Sequence, residues 1–174
     1  TASRQTESAL RETEQIQRLA MEGGQLGTWA IDLDTQETFW GLHCRQILGV
    51  TPDEPATLDK SFALIHPDDR VHAIAAIAAV AAHSTDRVML EVRIRWPDAS
   101  TRWVAVRGST FVEETAGRAT RRLIGVVLDI TERKHYEQSL LHANQRLALA
   151  EEAAHALLYE WNLITGVVER SGGT

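Results

Sequence analysis

The chain has 174 residues, 44% hydrophobic and 24% charged, with a net charge of −6, room for one ordinary domain with extensions and a core that needs no covalent staples. A single cysteine, Cys44, excludes a disulfide scaffold and any Cys-x-x-Cys zinc or redox site. The acidic balance and the lack of a Lys/Arg block argue against nucleic acid as a partner, and the longest apolar stretch, Ala73 to Ala82, is far too short to cross a bilayer.

The N-terminus is polar and lacks an initiator Met, which reads as a piece of a longer protein. Residues 1–24 are expected to form a flanking helix, rich in Glu, Gln and Arg and stopped by Gly23-Gly24. Trp29-Ala-Ile-Asp-Leu alternates with period two and reads as a strand, followed by a turn and a short strand Thr38–Trp40. Small helices are expected over Leu42–Leu48, closed by Gly49, and over Leu58–Leu64. Pro67 interrupts the chain, an aspartate of Asp68-Asp69 is expected to cap the next helix, and that helix runs from Arg70 to about His83. Its apolar stripe is assigned to Val71, Ile74, Ile77, Ala78 and Ala81.

Three longer strands follow, over Arg87–Trp96, Arg102–Val112 and Arg121–Ile130, with a hairpin turn at Pro97-Asp98-Ala99-Ser100. The last strand is apolar on both faces and needs cover on both. The small helices are expected on one face and the N-terminal helix on the other. The fold class is α+β, over residues 25–131. Residues 132–157 read as a linker helix whose seam of Tyr136, Leu140, Ala143, Leu147, Ala150, Ala154 and Leu157 keeps a 3.5-residue period, as paired helices do. Arg18-Leu-Ala-Met before Trp29-Ala-Ile-Asp-Leu is echoed by Arg146-Leu-Ala-Leu before Tyr159-Glu-Trp-Asn-Leu, so residues 158–174 are expected to open a second copy of the domain.

These motifs resemble a PAS domain of the bacterial sensory-box type. The resemblance is carried by Gly27-Thr28-Trp29 with Asp32-Leu33, Ile47-Leu48-Gly49, Ile65-His66-Pro67-Asp68-Asp69-Arg70, Arg93-Ile94-Arg95-Trp96-Pro97-Asp98, Arg102-Trp103-Val104 and Gly125 through Lys134, in the family's order. It implies a PAS fold: a five-stranded antiparallel sheet in the order 2-1-5-4-3, with small helices enclosing a cavity on one face and flanking signalling helices. It also implies a sensing or dimerising role within a larger histidine kinase, cyclic-di-GMP enzyme or transcription regulator, expected in the cytoplasm or as the cytoplasmic part of a membrane-bound sensor. The chain departs from the family at Ala99, where relatives usually place glycine.

Candidate cavity residues are Trp29, Ile31, Ile74, Ile77, Leu90, Val92, Trp103 and Val126. Asp129, Thr131 and Glu132 are candidates for signal relay, because both Asp129 and Thr131 suit a helix N-cap and Asp129 with Glu132 has capping-box spacing. Tyr136, Leu140, Ala143 and Leu147 are candidates for a homodimer seam. His66 with Asp68 and Asp69 is read as a pre-proline residue and a helix cap in preference to an acid–base or metal site. Cys44 lacks the sequence context of the flavin-reactive cysteine in light-sensing relatives, and His72 and His83 lack the pattern around a haem-ligating histidine. No cofactor and no metal are expected, an unknown small ligand stays open, and no catalytic motif occurs. The leading function is perception of a ligand or partner and relay through a paired helix to a downstream PAS and output domain. The alternatives are a ligand-free dimerisation and spacer module, or a haem or flavin sensor.

Overall fold

A computed structural model of the chain describes residues 26–115 and 117–165. The expected N-terminal helix lies outside the described residues. Among them the strands are β1 (Gly27–Asp32), β2 (Thr38–Trp40), β3 (Arg87–Arg95), β4 (Thr101–Thr115) and β5 (Arg118–Asp129), and the helices are α1 (Leu42–Leu48), α2 (Leu58–Leu64), α3 (Pro67–Ala81) and α4 (Thr131–Thr165). The five strands form one antiparallel sheet in the order β2-β1-β5-β4-β3. This is the PAS arrangement. The chain divides into two compact units between Thr131 and Glu132.

The register sorts the strand residues by face. Trp29 pairs with Trp40 and Gly125, Gly125 with Gly108, Val127 with Val106, and Val104 with Val92. Directly paired residues share a face, so these form one inner surface. Here the core lies, and Val88, Val92, Ile94, Val104, Leu123 and Val127 are almost wholly buried. The other surface carries Phe39, Met89, Phe111 and Ile124, all exposed by 41% or more.

Two corrections concern α3. It begins at Pro67 with His66 as N-cap, whose ring accepts from the Asp68 N–H at 3.4 Å, so no aspartate caps it. Proline suits the first helical position because its missing N–H would have no intrahelical partner there. The buried stripe is also turned from the expected one: Ala73 and Val80 are buried with Ala76 and Ile77 packed beside them, while Val71 is 73% exposed. The helix is apolar nearly all round, so its sequence pattern carries little directional signal. Alanine at the contact lets the backbone lie close to its neighbours.

Freed from capping, Asp69 ties the start of α3 to the edge strand. Its carboxylate accepts from the Arg93 main-chain N–H at 2.8 Å and from the guanidinium at 2.6 and 2.9 Å. The β3–β4 turn is closed by Ala99 N–H to Trp96 C=O and Trp96 N–H to Ser100 C=O, both 2.9 Å. Ala99 sits at φ 64°, the left-handed geometry that explains why glycine is usual there.

Residues 158–165, expected to open a second copy of the domain, are helical and continue α4. A helix satisfies its own main-chain groups, whereas a lone strand has none to pair with. Residues 166–174 lie outside the described residues.

The Arg93 side chain, hydrogen-bonded to Asp69, holds its carboxyl down to about 2. A carboxyl depressed in the folded state adds stability that is complete above its unfolded value near 4 and is lost as pH falls through 2. Denaturant unfolding from pH 4 to pH 2 should therefore cost wild type about 1–2 kcal/mol more than Asp69→Asn. Identical acid limbs would remove Asp69 as the clamp.

Candidate functional site

Between the inner sheet face and the three short helices lies an apolar cavity of about 100 Å³. Trp29, Ile31, Leu90 and Val92 reach it from the sheet and Ile77 from α3. Three expected lining residues do not. Ile74 is 44% exposed and outside the lining, and Trp103 and Val126 alternate with Val104 and Val127 and so face the other side of the sheet. A period of two moves a residue to the opposite face with a single step along the strand.

Sequence reasoning missed Trp40, Cys44, Phe62, Ile65, Val104 and Val127 in the wall. Val104 and Val127 were legible from parity alone, whereas Cys44 and Phe62 depend on how α1 and α2 dock. A larger groove near the β1–β2 turn is an open surface depression, where Arg122 and Glu113 pair at 3.2 Å.

Trp29 is the centre of the wall. A side chain on Gly108 would meet its Cη2 at 2.7 Å and one on Gly125 its Cζ2 at 2.5 Å. The indole therefore occupies the space that side chains on β4 and β5 would otherwise fill. Its Nε1–H is buried and has no hydrogen-bond partner among the described residues. On α1, Cys44 is 2% exposed, and burial pushes its thiol up to about 12, so it stays protonated at neutral pH and is a poor nucleophile.

The residues present do not fit the cofactors of the wider family. About 100 Å³ is well below the roughly 300 Å³ at which pockets begin to hold drug-sized ligands. No histidine lines the cavity among the described residues, and His72 and His83 are exposed.

The end of β5 is bound to β4 through side chains. The Asp129 carboxylate accepts from the Thr131 N–H at 2.9 Å and stands 3.7 Å from the Arg102 guanidinium. Thr131 Oγ1 accepts from the Trp103 N–H at 2.9 Å, and the Ile130 N–H donates to the Trp103 carbonyl at 2.9 Å. Thr131 thus grips β4 rather than capping α4. Glu132 accepts from the Tyr136 hydroxyl at 3.2 Å, so the capping box is not formed. Arg102 also lies over the Trp96 ring, 3.3 Å from its centre, and Trp96 Nε1–H donates to the Ile47 carbonyl at 2.8 Å. A continuous set of contacts therefore runs from α1, which walls the cavity, to Asp129.

Comparison with known proteins agrees with this geometry. Residues 37–127 match the PAS fold family. The chain is 32% identical over 123 residues to the sensor protein FixL of Bradyrhizobium diazoefficiens, covering 71% of this chain and 24% of the relative. It is 32% identical over 128 residues to a blue-light-activated histidine kinase of Brucella anthropi, covering 73% of this chain and again 24% of the relative. The chain thus spans about a quarter of the length of these curated relatives. A sensory-box histidine kinase/response regulator structure from Burkholderia thailandensis superposes with a TM-score of 0.60 at 30% identity, covering 75% of this chain and 96% of that one. The chain belongs to the PAS family, and it is a sensory, signal-relaying domain.

Proposed function

We propose that this domain perceives a small ligand in the cavity and passes the change through Asp129 and Thr131 into α4, paired with the same helix of a second copy. Asp129 and Thr131 are relay residues in this reading, and Glu132 begins the relayed helix. The parent protein carries a downstream PAS domain and an output domain, either a histidine kinase or a cyclic-di-GMP enzyme, and works in the cytoplasm. Among the described residues no helix is long and apolar enough to cross a membrane.

The observation that carries the reading is the junction itself. Its two side chains bind β4 main chain and Arg102, which fastens the end of β5 to β4 at the residue where α4 begins and supports a relay role for them. The seam residues Tyr136, Leu140 and Leu147 are 63–68% exposed, and Ala143 lies on the same stripe. A solvent-facing apolar stripe with heptad spacing is what a partner helix covers. The small cavity volume favours a second reading, a ligand-free dimerisation and spacer module.

In the parent protein, Asp129→Ala with Thr131→Ala should uncouple output from stimulus while the core stays folded, since each lost hydrogen bond costs about 1 kcal/mol. A folded double variant with normally regulated output would refute the relay. Sedimentation should show Leu140→Glu with Leu147→Glu as a monomer; an unchanged dimer would place the interface elsewhere.

A further inference from the structure

The cavity wall is apolar with a single unsatisfied exception. Trp29 is 7% exposed, its indole lines the cavity, and its Nε1–H has no partner among the described residues. A buried donor left without an acceptor is costly, and native interiors rarely retain one. The two hydroxyls of the lining give their protons to main chain, Thr38 to the Gln36 carbonyl at 3.2 Å and Ser61 to the Thr57 carbonyl at 3.0 Å, and neither oxygen accepts from the indole. A water on the indole N–H would have only these two side-chain oxygens in the lining to receive its own hydrogens, and buried waters normally make about three hydrogen bonds.

Charge is equally restricted. Cys44 is the one titratable group among the described lining residues, and its raised pKa keeps it neutral. An ion entering this wall would have no counter-charge, at a cost far above what apolar contact returns. Size sets the remaining bound: an apolar protein cavity of about 150 Å³ holds a benzene, and this one is about 100 Å³.

Resting on the sensory reading above, we propose that the cavity takes an uncharged apolar molecule of about four heavy atoms carrying one hydrogen-bond acceptor, such as a small ketone, aldehyde or ether, and that Trp29 Nε1–H is its recognition donor. The apolar body fills the space between the sheet and α3, and the acceptor oxygen completes the indole. Small neutral molecules of this kind reach a buried cavity without a charged entry path. Trp29 then carries ligand specificity, while Ile31, Ile77 and Val92 supply shape.

The test uses acetone and isobutene, which match in shape and differ in the acceptor oxygen. Acetone should bind saturably and move the Trp29 indole N–H resonance downfield, and isobutene should leave that resonance near its free position. Trp29→Phe should weaken acetone binding by about fivefold or more and change isobutene binding by less than about twofold. The comparison is made within each probe because the hydrocarbon partitions from water more strongly. Should Trp29→Phe fail to fold, the indole resonance of the wild-type protein decides alone. Ala73→Leu, which places bulk in the cavity wall, should abolish binding of both probes.

No saturable acetone binding, an unmoved indole resonance, or probe binding that survives Ala73→Leu would each overturn the proposal. Equal loss of both probes in Trp29→Phe would overturn the recognition role while leaving the sensory reading intact. That reading fails separately, through the regulated output of the parent protein.

Discussion

The fold rests on one large side chain lying across two residues that have none. Trp29 projects from β1 over Gly125 on β5 and Gly108 on β4, and a methyl group at either position would overlap the ring. Three adjacent strands are spanned by one rigid indole. An aromatic of this size contributes several kcal/mol of burial. It takes the place of side chains on β4 and β5, and its indole lines the cavity beneath the helices. Stability and the binding space have the same origin.

The elements were largely legible because local signals agreed. Thr38–Trp40, Leu42–Leu48 and Leu58–Leu64 end where their turn residues and periodicity place them. Gly49 adopts φ 72° as a left-handed cap, and Ala99 takes the strained turn position. What could not be read were facts about contacts between elements. The buried side of α3 depends on which of its many small apolar residues meets the sheet, and Asp69 is taken by an arginine 24 residues away. Trp103 reads as an inward-facing strand residue that lines the cavity, but the register puts it on the face opposite Val104. The motif Asp129-Ile130-Thr131 was visible as a junction, yet Thr131 bonds to β4, a partner that a capping rule limited to neighbours in sequence cannot supply.

Two kinds of constraint meet at the site. Apolar packing builds an interior with little polar character, leaving one indole N–H to discriminate. Polar and cation–π contacts then connect Ile47 through Trp96 and Arg102 to Asp129. Arg102 is shared between an aromatic face and a carboxylate, a geometry suited to its planar guanidinium and not to lysine. A ligand that shifts α1 acts on the same contacts that hold the end of β5, which is the physical requirement for a sensor whose input and output lie at different places.

The packing of Trp29 on the glycine pair is tested most directly by a double-mutant cycle on unfolding free energy, with Gly108→Ala and Trp29→Leu made singly and together. Gly108→Ala alone should cost about 1–3 kcal/mol through overpacking, and most of that cost should vanish in the Trp29→Leu background. A cost that is the same in both backgrounds would mean the indole does not rest on Gly108, and the account of both the core and the cavity would be contradicted.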